Sequence, residues 1–236
     1  MDLGLRDRVA VITAASKGLG RGTVLALAAE GARVVINARD KSALDALAAT
    51  LPDVVVVPGD ISEAELPAQL IDAAISRWGR IDIVVGNAGG PPIGRALDVD
   101  DEQILSAVNA NMLASIRLAR AAMPYMRQQQ WGRICFIASA TVRQPNRDLA
   151  LSNIARTGLW AWTKTAAQDV AAAGITVNLI APGEHATDRQ IGFGGSERSG
   201  DPEDFGKVVA FLCSEPAKFV NGIAMGVDGG SVVGLL

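Results

Sequence analysis

Short runs of β-branched residues alternate with longer Ala- and Leu-rich stretches of helical period along the whole chain, the pattern that a parallel sheet covered on both faces by helices demands. The runs place strands near Arg8–Thr13, Arg33–Asn37, Val54–Val57, Asp82–Gly86, Arg133–Ala138, Thr176–Ile180 and Ala224–Val227. Helices are expected to open near Gly18, Ser42, Ala64, Asp101, Ser152 and Pro202. The fold class is α/β, with seven parallel strands. Right-handed crossovers wind the first three strands one way and the next the other, which leaves a crevice at the carboxyl ends of the strands. A length of 236 residues, 49% hydrophobic, fits one such domain over residues 1–236.

The net charge of −3 and a pI near 5.2 provide no basic face, and Lys and Arg are scattered. A nucleic-acid partner is not expected. The N-terminal Met-Asp-Leu-Gly-Leu-Arg-Asp-Arg carries charges where a signal peptide needs an apolar core, and no apolar run approaches bilayer length. The expectation is a cytoplasmic chain with no membrane contact and no metal site. Cys135 and Cys213 lie in apolar segments, where buried reduced thiols are commoner than a disulfide.

After the first strand the chain reads Thr13-Ala14-Ala15-Ser16-Lys17-Gly18-Leu19-Gly20 and then runs into a helix. A tight strand-to-helix turn with unobstructed backbone N–H groups suits an anion such as a pyrophosphate. Gly18 and Gly20 meet that need. Here the sequence resembles the short-chain dehydrogenase/reductase family, whose fold is a Rossmann-type doubly wound sheet and whose glycine motif runs T-G-x-x-x-G-x-G. Ala14 replaces the first glycine, which requires a negative φ at that position and weakens the expected grip on a pyrophosphate.

The resemblance extends to the C-terminus and implies a nucleotide-binding half. Ile36-Asn37-Ala38-Arg39 ends the second strand, where relatives that use NAD usually carry an Asp at the place of Ala38. With Arg39 and Lys17 beside it, NADP(H) is the better fit than NAD(H) through charge-assisted hydrogen bonds, unless both cations are only solvated surface groups. Asp60-Ile61 resembles the pair that contacts adenine, and Asn87-Ala88-Gly89 resembles the motif beside the adenine ribose. Simpler roles are that Asp60 caps the next helix and Asn87 braces the sheet. Gly86 departs from the Asn usual before Asn87. Ala181-Pro182-Gly183, with Thr187 beyond, resembles the loop that closes on nicotinamide, and Val227-Asp228-Gly229-Gly230 is a typical ending.

In the catalytic half the family pattern breaks. The resemblance implies that Asn111 holds a water and that Ser139 orients a carbonyl, although Asn111 could instead bond a neighbouring strand and Ser139 cap a turn. The family's Tyr-x-x-x-Lys falls where this chain reads Ser152-Asn153-Ile154-Ala155-Arg156. A serine hydroxyl ends nearer the backbone than a phenol and has a much higher pKa, so Ser152 cannot take over proton transfer. Arg156 stays charged and is expected to hold ribose hydroxyls, but it cannot deprotonate. Tyr125 sits on an earlier helix and reads as packing. His185 is a possible proton donor or a loop brace. Arg143 and Arg147 could bind an anionic substrate group or be solvated. Between Thr187 and Pro202 only Ile191-Gly192-Phe193-Gly194-Gly195-Ser196 stands where relatives have a longer helical lid, so an open pocket is expected.

Three functions follow as expectations. The first is an NADP(H)-binding oxidoreductase acting on a carbonyl or alcohol, closest in pattern to 3-oxoacyl-acyl-carrier-protein reductases, with a small-molecule substrate and a homo-oligomeric state, dimer or tetramer. The second is a non-catalytic nucleotide-binding sensor or partner subunit. The third is a cofactor-independent lyase or dehalogenase-like enzyme.

Overall fold

The computed structural model describes residues 1–188 and 199–235. Seven strands form one parallel sheet: β1 (Val9–Ile12), β2 (Arg33–Ile36), β3 (Val54–Val56), β4 (Ile83–Gly86), β5 (Gly132–Ile137), β6 (Ile175–Pro182) and β7 (Ala224–Val227). Their order is β3-β2-β1-β4-β5-β6-β7, so the winding reverses between β1 and β4 as the right-handed crossover rule requires. The register pairs Val11 with Val35 on one side and with Val84 on the other. The strands β1, β4, β5 and β6 are buried along their whole length, which explains their near-continuous apolar sequences.

The main helices are α1 (Gly18–Ala29), α2 (Lys41–Ala48), α3 (Leu66–Trp78), α4 (Asp101–Val108), α5 (Ala114–Gln129), α6 (Ala150–Val170) and α7 (Pro202–Leu212). One buried cluster contains Leu70, Leu118, Phe136, Leu159 and Val170, and a second contains Val24, Leu27, Leu44, Phe205 and Val209. These two clusters bury the opposite faces of the sheet. Between α4 and α5 the chain makes a π-turn, Asn109–Leu113, closed by the Ala114 N–H donating to the Asn109 carbonyl. The helix expected from Ser152 begins two residues earlier, so Ser152 lies inside its first turn. The helix expected from Ala64 begins at Leu66, because Asp60 and Ser62 first form a turn of their own.

At the amino ends of the strands, Trp131 is flanked by the guanidinium groups of Arg8 and Arg133, 3.7 and 4.3 Å from its ring centroid. Its indole N–H donates to Glu215, and this bond is the main reason that carboxyl is held below its ordinary value. Arg8 and Arg80 both pair with the fully buried Asp82. The cluster joins β1, β4, β5 and the end of α7 on the side away from the crevice. Among the described residues no helix is long and apolar enough to cross a membrane.

Candidate active site

A crevice of about 2010 Å3 opens at the carboxyl ends of the strands, where the winding reverses. Its head is the turn between β1 and α1. Gly18 adopts φ +54°, and a Cβ on Gly20 would lie 2.2 Å from the Ala14 carbonyl oxygen, so both positions require glycine. Helix α1 has no side-chain cap and no acidic residue in its first turn, leaving its N-terminal N–H groups and positive dipole end for another anion. Ser16, Lys17, Gly18 and Leu19 line the crevice here. Gly20 lies behind them. Ala14 has φ +47°, so the expectation of a negative φ is wrong. The left-handed turn is held by Ala15 N–H donating to the Asn37 carbonyl, 2.9 Å, and the strain stays with alanine.

Thr13 does not line the crevice. Its Oγ1 accepts from the Asn87 N–H at 2.8 Å and donates to the Asn87 carbonyl at 2.6 Å, tying the ends of β1 and β4. Asn87 thus braces the sheet and also lines the crevice with Ala88 and Gly89. Glycine at 86 has a packing cause: a Cβ there would meet the Phe136 ring at 2.8 Å and Ser115 Oγ at 2.9 Å.

Arg39 and Lys17 stand on the rim. Arg39 pairs with Asp60 at 3.8 Å and Lys17 with Asp188 at 3.5 Å, and all but Asp60 are well exposed. Asp60 does not cap α3. It accepts from the Ser62 backbone N–H and hydroxyl, which with the more distant Arg39 hold its carboxyl below the usual range despite partial burial. Ile61 lines the crevice beside it.

At the far end the π-turn directs Asn111 inward, 5% exposed. Its Oδ1 accepts from Arg156 Nη2 at 3.1 Å, rather than bonding a neighbouring strand. The same guanidinium, 7% exposed, donates to the carbonyls of Ile137, Ala138 and Ala88. Arg156 therefore staples the ends of β4 and β5 to the π-turn, and it could reach a ribose only by giving up some of these bonds. Ser139 accepts from the Thr141 N–H at 3.2 Å and starts a short 3-10 turn, while its side chain faces the crevice with Ser152. Pro182, Gly183 and Thr187 form the opposite wall. Gly183 lies so close to Asp228 that a Cβ would meet its Cα at 2.7 Å, which draws the end of β7 into the site.

The structure separates the alternatives left open for His185, Arg143 and Arg147, and it keeps Tyr125 in packing. His185 lines the crevice but is fixed in the loop: its Nδ1 lies 3.1 Å from the Gly183 carbonyl, its ring packs edge-on against Phe205, and Gly200 leaves just enough room for it. It is a brace. Arg143 donates to the Ala224 carbonyl and lines a separate groove beside α6, and neither it nor the exposed Arg147 lines the crevice. Tyr125 packs half-buried against the core. The stretch Ile191–Ser196 lies outside the described residues.

The sequence reading missed Thr141, whose buried Oγ1 has no hydrogen-bond partner, and the crevice carboxylates Glu102, Asp148, Glu184 and Asp228. No local motif marks Thr141, Glu102, Asp148 or Glu184, and Asp228 is read only as part of the Val227–Gly230 ending; the fold brings the five together from four separate segments. Among the described residues no group of three or more His, Cys, Asp or Glu is placed to hold a metal ion.

Residues 13–232 match a family model described as enoyl-(acyl carrier protein) reductase. The chain is 33% identical to the 3-oxoacyl-[acyl-carrier-protein] reductase of Synechocystis sp., over 97% of this chain and 98% of that one. It is 31% identical to human dehydrogenase/reductase SDR family member 4, over 96% of this chain and 88% of the relative. Its structure is similar to that of L-sorbose reductase from Gluconobacter frateurii in complex with NADPH and L-sorbose, with a TM-score of 0.95, 31% identity and full coverage of both chains.

Proposed function

Since the chain belongs to the short-chain dehydrogenase/reductase family, we propose that it is an oxidoreductase that holds NADP(H) in preference to NAD(H) in this crevice and acts on a small molecule. The observation that carries the reading is the uncapped N-terminus of α1 at the head of the crevice, with Gly18 and Gly20 admitting an anion to its backbone. The bound dinucleotide supplies or accepts a hydride. Lys17 and Arg39 would exchange their carboxylate partners for a 2′-phosphate, and the buried Ala38 adds no repelling charge. Asp60 and Ile61 would meet the adenine, Asn87 to Gly89 its ribose, and Pro182, Gly183 and Thr187 the nicotinamide end.

Ser152 and Arg156 stand in this reading where relatives carry the proton-transferring Tyr and Lys. Ser139 and Asn111 would orient a substrate oxygen, but no phenol completes the set. Without a positioned acid, ordinary ketone and 3-oxoacyl thioester reduction should fall by on the order of a hundred- to ten-thousand-fold. A single titration series tests the cofactor assignment. NADPH should bind at least tenfold more tightly than NADH, with Arg39→Asp abolishing or reversing the preference. Equal affinities in the unmodified protein would count against it. Cofactor binding with no turnover on any carbonyl or alcohol would instead favour a nucleotide sensor, the second reading, which the four backbone and side-chain oxygens occupying Arg156 support.

A further inference from the structure

Cofactor binding in this reading uses Asp60 and Ile61 at one end of the crevice, and substrate orientation uses Asn111 at the other. Asn109 lines the same crevice and is bonded toward both. Its side-chain Nδ2 donates to the Ser62 carbonyl at 3.0 Å, a tie between segments 47 residues apart in the chain. Ser62 in turn gives its backbone N–H and its hydroxyl to one carboxylate oxygen of Asp60, at 2.9 and 2.7 Å. The main-chain carbonyl of Asn109 accepts from the Ala114 N–H and so closes the π-turn. That turn carries Asn111, whose Oδ1 accepts from Arg156 at 3.1 Å. One residue thus holds the adenine end with its side chain and the substrate end with its backbone.

The residue type at 109 has a chemical cause. The Ser62 carbonyl can only accept, and the guanidinium of Arg117, which reaches Asn109 Oδ1 at 2.7 Å, can only donate. A short amide answers both at once, and in one orientation alone. Aspartate would keep Arg117 and lose Ser62, and alanine would lose both.

The turn that Asn109 closes has an alternative. In a continuous α-helix its carbonyl would accept from the Leu113 N–H, whereas here the bond skips to Ala114. A change from one pairing to the other rotates the side chains of the turn, and Asn111 is among them. The bond to Ser62 fixes the residue whose carbonyl makes that choice. An element with two arrangements, touched from both sites, is what coupling between sites requires.

We propose that Asn109 is a positioning residue that couples the adenine end of the crevice to its substrate end. A base held at Asp60 and Ile61 steadies the turn at Ser62, Ser62 steadies the Asn109 amide, and the closed π-turn keeps Asn111 directed at Arg156 and at a substrate oxygen. The inference rests on the cofactor reading above. It goes beyond that reading in making occupancy at each end change the affinity at the other, by the same factor in both directions.

Binding of NADPH and NADH to the full chain is measured first. The test then uses the two halves of the dinucleotide as separate ligands, adenosine 2′-monophosphate and reduced nicotinamide mononucleotide, the second followed by its fluorescence. Adenosine replaces the first if NADH proves the tighter dinucleotide. A saturating adenine half should tighten the reduced mononucleotide about fivefold or more in the unmodified protein. Asn109→Asp, which keeps an acceptor for Arg117 but cannot donate to Ser62, should bring that factor close to unity. Asn109→Ala should do the same, and it carries the test alone if the aspartate variant does not fold. A residue that merely supports the fold would weaken each half by itself and leave the factor intact. Exchange of the Ala114 amide hydrogen, the donor that closes the π-turn, should slow when the adenine half binds the unmodified protein and not when it binds Asn109→Asp. A mononucleotide affinity that ignores the adenine half, or a coupling factor that survives both substitutions, overturns the proposal. Failure of both dinucleotides to bind would instead overturn the cofactor assignment beneath it.

Discussion

Ala14 holds a left-handed backbone, φ +47°, at the point where β1 turns into α1. For an L-residue with a Cβ that conformation costs roughly 1–2 kcal/mol, whereas glycine adopts it freely. Glycine also gives the unfolded chain about 0.5–1 kcal/mol more conformational entropy to lose. The two effects nearly offset, so Ala14→Gly should leave stability unchanged or raise it by up to about 1 kcal/mol in urea unfolding. Ala14→Val adds a stiff branched side chain to the same backbone and should cost about 1–2 kcal/mol. A clear loss of stability in the glycine variant would show that the Cβ makes contacts that outweigh the strain. Gly18 and Gly20 are legible from the sequence because backbone geometry demands glycine there, whereas the left-handed backbone of Ala14 is not, since an alanine gives no sign of a positive φ. Nor is Arg156, since its charge and length are evident but the carbonyls of Ile137, Ala138 and Ala88 converge on it only after β4, β5 and α6 assemble. The same holds for His185, whose role is decided by Phe205 and Gly200 from the segment around α7.

Elements rather than single side chains set how closely the two crevice walls stand. Helices α1 and α7 cross at Gly22 and Gly206, where a Cβ on Gly22 would lie 2.0 Å from the Pro202 carbonyl oxygen and one on Gly206 2.2 Å from the Gly22 carbonyl oxygen. Both obstacles are backbone, so an added methyl must push the helices apart. Overpacking of this kind typically costs about 1–3 kcal/mol and exceeds the gain of about 1 kcal/mol in helix propensity. Gly22→Ala should therefore lower unfolding stability by about 1–2 kcal/mol, whereas Gly89→Ala, where a Cβ meets nothing within 4 Å, should stay within about 0.5 kcal/mol. A stable Gly22→Ala protein with unchanged cofactor affinity would mean that α7 can yield without disturbing the turn. The strands were readable because β-branched runs in a sheet buried on both faces have few alternatives. Helix starts were less so: α6 begins at Ala150 with Leu149 as a cap that makes no side-chain bond, and the π-turn at Asn109–Leu113 has no sequence signature. That unmarked turn is what brings Asn111 to Arg156.

For the whole molecule, the long helices α5 and α6 carry more apolar surface than the core consumes. Met123 and Tyr125 of α5 and Trp160 and Trp162 of α6 are only partly buried, although each packs against the same core cluster. Trp160 also lines a groove of about 470 Å3 with Thr157, Ala161 and Ile223, on the flank away from the crevice. Large aromatic and Met side chains left half-covered on neighbouring helices are what a subunit contact needs. A two-fold contact is the commonest way to cover such a face, because each helix then meets its own copy. A dimer or tetramer is expected, burying about 800 Å2 or more from each partner. Sedimentation at micromolar concentration should give a mass two or four times the chain's 24.5 kDa. Ala161 is exposed in the single chain and lies between the two tryptophans of α6, so Ala161→Arg would place a charge in a self-complementary face and meet its repeat across the axis. That variant should shift the population toward monomer while its unfolding remains cooperative. A monomeric unmodified protein at that concentration would mean that the half-buried tryptophans serve the core alone, and that the crevice is complete in one chain.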